Sequence, residues 1–237
     1  MTTPSFPPSQ SIARIAAIAR ALGDMSAEVV FIGGAIAPIL QTHPALARVR
    51  ATKDVDAVVA STHYANYHGL ETRMRDLGFK TDISDAKHVH RWRAPDGTPF
   101  DLVPAGEHLG GTGSKWDRMA LQTGVETEIE PGLKIQHASA PGFLALKWAA
   151  FHDRGADDPF SSHDLEDILA LTVSRETVAR EVQEAPRNIQ EHVREGFSWL
   201  LGSADYDDLV AAHLGNAQSF KHVATVLRQR IERMIGT

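Results

Sequence analysis

No cysteine occurs among the 237 residues of the chain. Disulfides and thiolate-held metals are therefore excluded, and a cation site would have to use oxygen or imidazole donors. Long apolar runs are absent as well. None approaches the roughly 20 residues that cross a bilayer, so no membrane partner is expected. The opening MTTPSFPPSQ is polar and proline-rich, without the basic start and apolar stretch of a secretory signal. These absences together point to a cytoplasmic protein. Nor is there an excess of positive charge. The 24 Lys and Arg stand against 30 Asp and Glu, a net charge of -6. That disfavours a broad nucleic-acid-coating surface and leaves a local basic patch as the route to such a partner. The 12 His are scattered, with no HExxH or similar ligand spacing. What is present, 43% hydrophobic and 23% charged residues, suits a globular chain with a real core.

The chain changes texture near its middle. Residues 1–8 read as a disordered lead. Ile12, Ile15, Ile18 and Leu22 recur at helical spacing, and Gly23 stops the pattern. Glu28 to Ile32 is short, apolar and β-branched, which predicts a strand. Gly33-Gly34 follows, then a short helix through Leu40 in which Pro38 is tolerable only in the first turn. Asp54 to Val59 predicts a second strand, and Ser61 a cap for a helix ending near Gly78. His88–Arg93 and Pro99–Val103 flank Ala94-Pro-Asp-Gly97, a hairpin signal. The Gly-rich stretch 108–118 reads as loop, and Leu133–His137 as a last strand. From Ser139 onward the patterns are helical, with Ser139, Ser162 and Ser174 as caps. The expected domains are thus an α/β unit over 9–137 and an all-helical unit over 138–237.

Acidic residues give the first unit its chemistry. Asp54 and Asp56 are two apart in an otherwise apolar strand, so their side chains share a face. Two adjacent carboxylates repel each other unless both face water or a cation compensates. Asp101 lies in Pro99-Phe-Asp-Leu-Val103, where a neighbouring strand would carry it beside the first two. Three convergent carboxylates suit two Mg²⁺ ions, with Mn²⁺ as a substitute, and phosphoryl or nucleotidyl transfer. Gly33 and Gly34 form a strand-to-helix junction where backbone N–H groups can meet phosphate. Its alternative is a tight turn.

Ile32-Gly33-Gly34, Asp54-Val-Asp56 and Asp101 together resemble the motif of the DNA polymerase β-like nucleotidyltransferase superfamily. Arg50-Ala-Thr-Lys-Asp-Val-Asp56, Lys147 through Arg154, and His163-Asp-Leu-Glu-Asp-Ile168 are similar to its AbiEii-type branch, the toxins of type IV toxin–antitoxin systems. The resemblance covers roughly residues 28–172. It implies a fold of α/β (α+β) class, a mixed-sheet core followed by a helical C-terminal domain that closes the nucleotide cleft. It implies an NTP-using, Mg²⁺-dependent enzyme that moves a nucleoside monophosphate to an acceptor hydroxyl. Asp54, Asp56 and Asp101 would be the catalytic metal ligands. Gly33, Gly34, Lys147 and Arg154 would bind nucleotide. Thr52, Asp164 and Asp167 would support them. The acceptor would be tRNA, with an antitoxin protein as partner. A small hydroxylated acceptor such as an aminoglycoside, or an inactive nucleotide- or partner-binding relative, are the alternatives. The sequence departs from the pattern in its wide Gly34–Asp54 gap, in Ala35 where Ser or Thr often follows the glycines, and in His163 where Lys often precedes the Asp.

Lys147 and Arg154 are seven apart on one predicted helix and share a face, as do Asp164 and Asp167 on the next. Reaching a triphosphate and bridging two helices are both open to these cations. Two other signals carry less. Gly110–Lys115 lacks the spacing of a phosphate loop. His88, His90, Arg91 and Arg93 make a basic strand read as an exposed hairpin face, with contact to an acceptor phosphate as the alternative.

Overall fold

The computed structural model describes residues 10–50, 52–60, 64–82, 90–105, 114–215 and 220–236. The 1–8 lead, the Ser61 cap, His88 and Gly110–Gly113 lie outside the described residues. The chain divides into two compact units. One comprises Met1–Ile39, Ala51–Leu121 and Val125–His137, and the other Leu40–Arg50, Gln122–Gly124 and Ala138–Thr237.

The first unit is built on a seven-stranded mixed sheet. Its strands are β1 (Val29–Ile32), β2 (Val55–Val59), β3 (Lys80–Thr81), β4 (Arg91–Arg93), β5 (Pro99–Pro104), β6 (Val125–Glu130) and β7 (Leu133–His137), in the order β3-β4-β5-β2-β1-β7-β6. The pairs β2–β5 and β1–β7 are parallel, and the other neighbours are antiparallel. Central β1 is apolar and buried throughout, as a strand covered on both faces must be. Helix α1 (Gln10–Leu22) buries Ile15, Ile18 and Leu22, and ends where Gly23 turns to φ +55°. The short α2 (Ala37–Leu40) admits Pro38 in its first turn, where a missing N–H costs no hydrogen bond. Helix α3 (Tyr64–Asp76) closes on Gly78 at φ +85°, and Phe79 N–H then bonds Met74 C=O. The hairpin turn forms at Ala94–Gly97, with Gly97 at φ +87°.

In the first unit, besides the unpredicted two-residue β3, two elements differ from the sequence reading. Helix α4 (Lys115–Thr123) begins inside the stretch expected as loop. Ser114 and Asp117 cap it reciprocally. Ser114 N–H donates to Asp117 Oδ2 at 2.6 Å, and Asp117 N–H to Ser114 Oγ at 3.3 Å. The second is β6, whose Val-Glu-Thr-Glu-Ile-Glu alternates β-branched residues with glutamates and has no fully buried position.

The second unit holds α5 (Ala140–Ala150), α6 (His163–Ser174), α7 (Val178–Glu184), α8 (Arg187–Gly202), α9 (Tyr206–Leu214) and α10 (Phe220–Ile235). Ser139 caps α5 and Ser162 caps α6, each accepting an N–H three residues on at 3.3 Å. Helix α5 passes into a π-helical turn at Phe151–Gly155 rather than running unbroken to Arg154. Ser174 is not a cap. It lies inside α6 and its hydroxyl donates to Ala170 C=O, so the chain turns after it. Trp148, Phe151 and Phe197 form the centre of the core, with Trp148 and Phe197 edge-to-face at 5.3 Å. The segment Leu40–Arg50 fills the wide gap between the glycines and the acidic pair. Its Thr42 and His43 N–H groups donate to Ser174 C=O, and Arg175 donates to Leu40 C=O. The carbonyl end of α6 is satisfied in this way by chain from far upstream.

Candidate active site

Sheet register assembles the first cluster. Asp56 on β2 is the parallel partner of Asp101 on β5, and Asp101 is the antiparallel partner of Arg91 on β4. Directly opposed residues share a face, so Arg91, Asp101 and Asp56 form one row across three strands. Asp54 stands one residue before β2 begins. Across the other edge of β2, Asp56 pairs with Ile32, and Gly33 follows at φ +73° and ψ -170°. A Cβ on Gly33 would lie 2.1 Å from Asp56 Oδ2. Glycine is required here twice, for a backbone conformation that other residues shun and for the carboxylate packed on its Cα. Gly34 opens a three-residue 3-10 turn and is buried.

Thr52 is buried, and its carbonyl accepts a hydrogen bond from Arg14 of α1. That contact anchors the approach to Asp54. Ala35 is buried at 0% exposure, a packed position where the hydroxyl often found after the glycines has no place in the core.

Arg91 is the residue that sequence reading placed elsewhere. It is not an exposed hairpin cation, since only 19% of its side chain meets solvent. Its Nε donates to Asp101 Oδ1 at 2.8 Å and its Nη2 to Asp101 Oδ2 at 2.6 Å, a two-pronged pairing. The same Nη2 reaches Asp54 Oδ2 at 3.4 Å. Asp54 and Asp101 are therefore within reach of one nitrogen. The Asp101 hydrogen bonds push the Arg91 pKa up, against desolvation, with Asp101, Asp54 and Asp56 charges adding to the rise. Beside it, burial lowers the pKa of His90, opposed by Asp101 and Glu71, which favours the neutral imidazole. Arg93, on the same face of β4 but nearer the turn, pairs with Asp82 at 2.9 Å.

The donor chemistry of Asp54, Asp56 and Asp101 fits a hard divalent cation, being all carboxylate oxygen on one sheet face. Among the described residues, however, no three His, Asp or Glu side chains are already gathered as a cation cage. The positive group that the carboxylates gather around is the Arg91 guanidinium.

The second unit has its own cluster. Lys147 of α5 lies buried, its Nζ 3.0 Å from Asp164 Oδ1 and 2.6 Å from Asp167 Oδ2 on α6. Arg154 adds Nε and Nη2 bonds to Asp164 at 2.9 and 3.2 Å, and keeps 68% of its side chain exposed. Desolvation acts most strongly on Lys147 and lowers its pKa, but the charges of Asp167 and Asp164 outweigh it and the net shift is upward. Asp164 is likewise pushed up by burial and pulled further down by Lys147 and Arg154. The four residues singled out in the helical half thus come together, as a bridge between two helices.

No protein-family model matches the chain, and no curated protein does. Solved structures do. The chain is similar to an antigenic nucleotidyltransferase-like protein from Paracoccidioides brasiliensis, with a TM-score of 0.52 and 18% identity over 86% of this chain and 92% of that one. Looser likenesses are to the antibiotic-resistance factor ANT(2'')-Ia, with a TM-score of 0.47 and 13% identity over 85% and 98% of the two chains, and to JHP933 from Helicobacter pylori, with 0.44 and 15% over 96% and 93%. The first of these shows that the chain has a nucleotidyltransferase-like fold.

Proposed function

We propose that the protein is a metal-dependent nucleotidyltransferase that uses an NTP. The observation that carries this reading is the carboxylate row, with Asp56 beside Asp101 in register, Asp54 two residues away and Asp56 seated on Gly33. The nucleotidyltransferase-like fold supports it. In the reaction an acceptor hydroxyl gives its proton to solvent, its oxygen bonds to the α-phosphorus, the α-phosphorus–oxygen bond to the β-phosphate breaks, and pyrophosphate leaves with that electron pair. Mg²⁺, held by Asp54, Asp56 and Asp101, would lower the pKa of the attacking hydroxyl and stabilise the leaving pyrophosphate. Asp54 and Asp56 would be ligands to the metal in this reading, and Asp101 would complete the site on the nucleophile's side. Gly33 and Gly34 present backbone to phosphate. Lys147 already has two carboxylate partners, so we assign it to holding α5 on α6. Exposed Arg154 is the candidate cation of the helical unit for phosphate.

For the acceptor we propose tRNA, in a toxin setting with an antitoxin partner, on the sequence resemblance. Labelled NTPs, Mg²⁺ and total tRNA test it directly, with a panel of aminoglycosides as the small-molecule arm. Label in RNA supports the first acceptor, and label confined to the small molecules replaces it with the second. Asp54→Asn, Asp56→Asn and Asp101→Asn should each abolish transfer while leaving the circular dichroism spectrum unchanged. Full Mg²⁺-dependent activity in any one of them would remove that residue from the site. Arg91 seated among the carboxylates favours one other reading, a relative that binds nucleotide or a partner without turnover. Absence of both turnover and NTP-dependent thermal stabilisation would favour the partner-binding form.

A further inference from the structure

Arg91 occupies the position that the proposed chemistry needs for a different cation. Both oxygens of Asp101 accept from its guanidinium, and Asp54 lies on the same nitrogen. In the absence of metal the Arg91 guanidinium offsets part of the carboxylate charge and joins Asp101 on β5 to Asp54 before β2. A divalent ion bound to Asp101 would have to share an oxygen that already accepts from Arg91, with only its second lone pair left to offer. It would also face a fixed positive charge at contact distance, where Coulomb repulsion is strong. We propose that Arg91 is the internal counter-cation of this site, a positioning residue that preforms the carboxylate row without metal and must leave Asp101 before a divalent ion can bind there. This inference rests on the reading of Asp54, Asp56 and Asp101 as metal ligands.

The two cations differ in a way that makes the exchange sensible. The guanidinium is planar and monovalent, and it binds the face that the two Asp101 oxygens present together. A divalent ion can bind all three carboxylates at once. Arg91 lies on a three-residue strand and keeps 19% of its side chain in solvent, the direction in which the guanidinium would withdraw. Trp92, its neighbour on the opposite face, is buried and holds the strand in place.

The test measures metal binding without nucleotide or turnover. Mn²⁺ affinity is determined by electron paramagnetic resonance on the full chain, for wild type, Arg91→Gln, Arg91→Lys and Asp56→Asn. Melting temperatures are measured in EDTA and in saturating Mn²⁺. Removing the charge in Arg91→Gln should tighten Mn²⁺ binding by about tenfold or more. It should also lower the melting temperature in EDTA, and saturating Mn²⁺ should restore it. Arg91→Lys keeps a charge but loses the fork, and should fall between the two. If the Gln variant does not fold in EDTA, the Lys variant carries the comparison. A merely structural arginine would give Mn²⁺ affinity equal to or weaker than wild type in both variants, which would overturn the proposal while leaving the metal site standing. Wild type and both Arg91 variants that bind no Mn²⁺ at millimolar concentration would overturn both readings. Asp56→Asn distinguishes these cases, because it should weaken Mn²⁺ binding wherever the carboxylates are the ligands.

Discussion

Gly33→Ala separates backbone strain from carboxylate placement. The wild-type φ of +73° and ψ of -170° lie in a region occupied almost solely by glycine. Forcing alanine into it costs about 1–3 kcal/mol. The added Cβ would also meet Asp56 Oδ2 at 2.1 Å, Cγ at 2.9 Å and Cβ at 3.2 Å. Asp56 must then rotate out of the row it forms with Asp101, or the β1 end must move away from β2. An off-rotamer side chain adds roughly 1 kcal/mol, so the total is about 2–4 kcal/mol. Urea denaturation of wild type, Gly33→Ala, Asp56→Ala and the double variant gives the cycle. The strain persists in the Asp56→Ala background, but the carboxylate clash does not. The substitution at Gly33 should therefore cost about 1 kcal/mol less there, outside the roughly 0.3–0.5 kcal/mol within which independent sites add. Transfer activity should fall in Gly33→Ala even at temperatures where the variant is folded. An additive cycle would show that the carboxylate does not rest on Gly33, and the positional argument for Asp56 would fail.

Lys147→Met leaves Asp164 and Asp167 buried without their shared cation, and should destabilise the protein by about 3–5 kcal/mol in urea unfolding. The wild-type pH profile should show two limits from this cluster. The folded pKa of Asp164 is depressed, so its contribution is present above the ordinary 3.8 and is lost as pH falls through the folded value. That of Lys147 is raised, so its contribution is complete below 10.5 and is lost as pH rises through the folded value. In Lys147→Met the alkaline loss should disappear and the acid loss should shrink, because Lys147 no longer holds the Asp164 pKa down against burial, both followed by melting temperature. Gly196→Ala should destabilise by about 1–3 kcal/mol, because a Cβ there would meet Trp148 Cδ2 at 2.3 Å. A more stable variant, as helix propensity alone would give, would contradict the close packing of α8 on that ring. Ser162→Ala removes the α6 cap and should cost about 0.5–2 kcal/mol by the same measurement.

How much of this was legible in the chain differs from residue to residue. The strands β1 and β2 announce themselves through β-branched apolar runs, and α5 and α6 through serine caps before apolar periods. The α+β order follows from those signals. The edge strand β6 carries the signal too, since Val125, Thr127 and Ile129 alternate with three glutamates, and the Gly132 turn pairs it with β7; three charges in six residues on an exposed strand hid it. Helix α4 was written in Ser114-Lys-Trp-Asp117, a capping-box spacing masked by the glycines before it. Arg91 was also within reach. Ala94-Pro-Asp-Gly97 marks the turn, and in the observed register Arg93 lies opposite Pro99, which puts Arg91 opposite Asp101. Counting outward from a hairpin turn fixes such pairs. The pairing of Asp56 with Asp101 could not be counted in that way, because parallel strands have no shared turn and their register is set by packing.

Each unit places a basic side chain between two aspartates, and burial makes the two arrangements unequal. Lys147 is enclosed, with 11% of its side chain exposed and Asp164 and Asp167 at 6% and 2%. Removing that cation strands two desolvated carboxylates, and bringing a hydrated divalent ion to them would first require opening the helix pair. The arrangement therefore stays closed and contributes specificity to the packing of α5 on α6. Around Arg91 the balance is different. Asp54 has 40% of its side chain in solvent, so water can hold its charge while one cation leaves and another arrives. The cost of the intermediate, a bare carboxylate row, is moderated by that solvent. A lysine enclosed with its aspartates is thus expected to be permanent, and an arginine that shares a well-solvated aspartate exchangeable. The contrast makes Mn²⁺ titration discriminating, since Arg91→Gln should change the affinity and Lys147→Met should change only the stability.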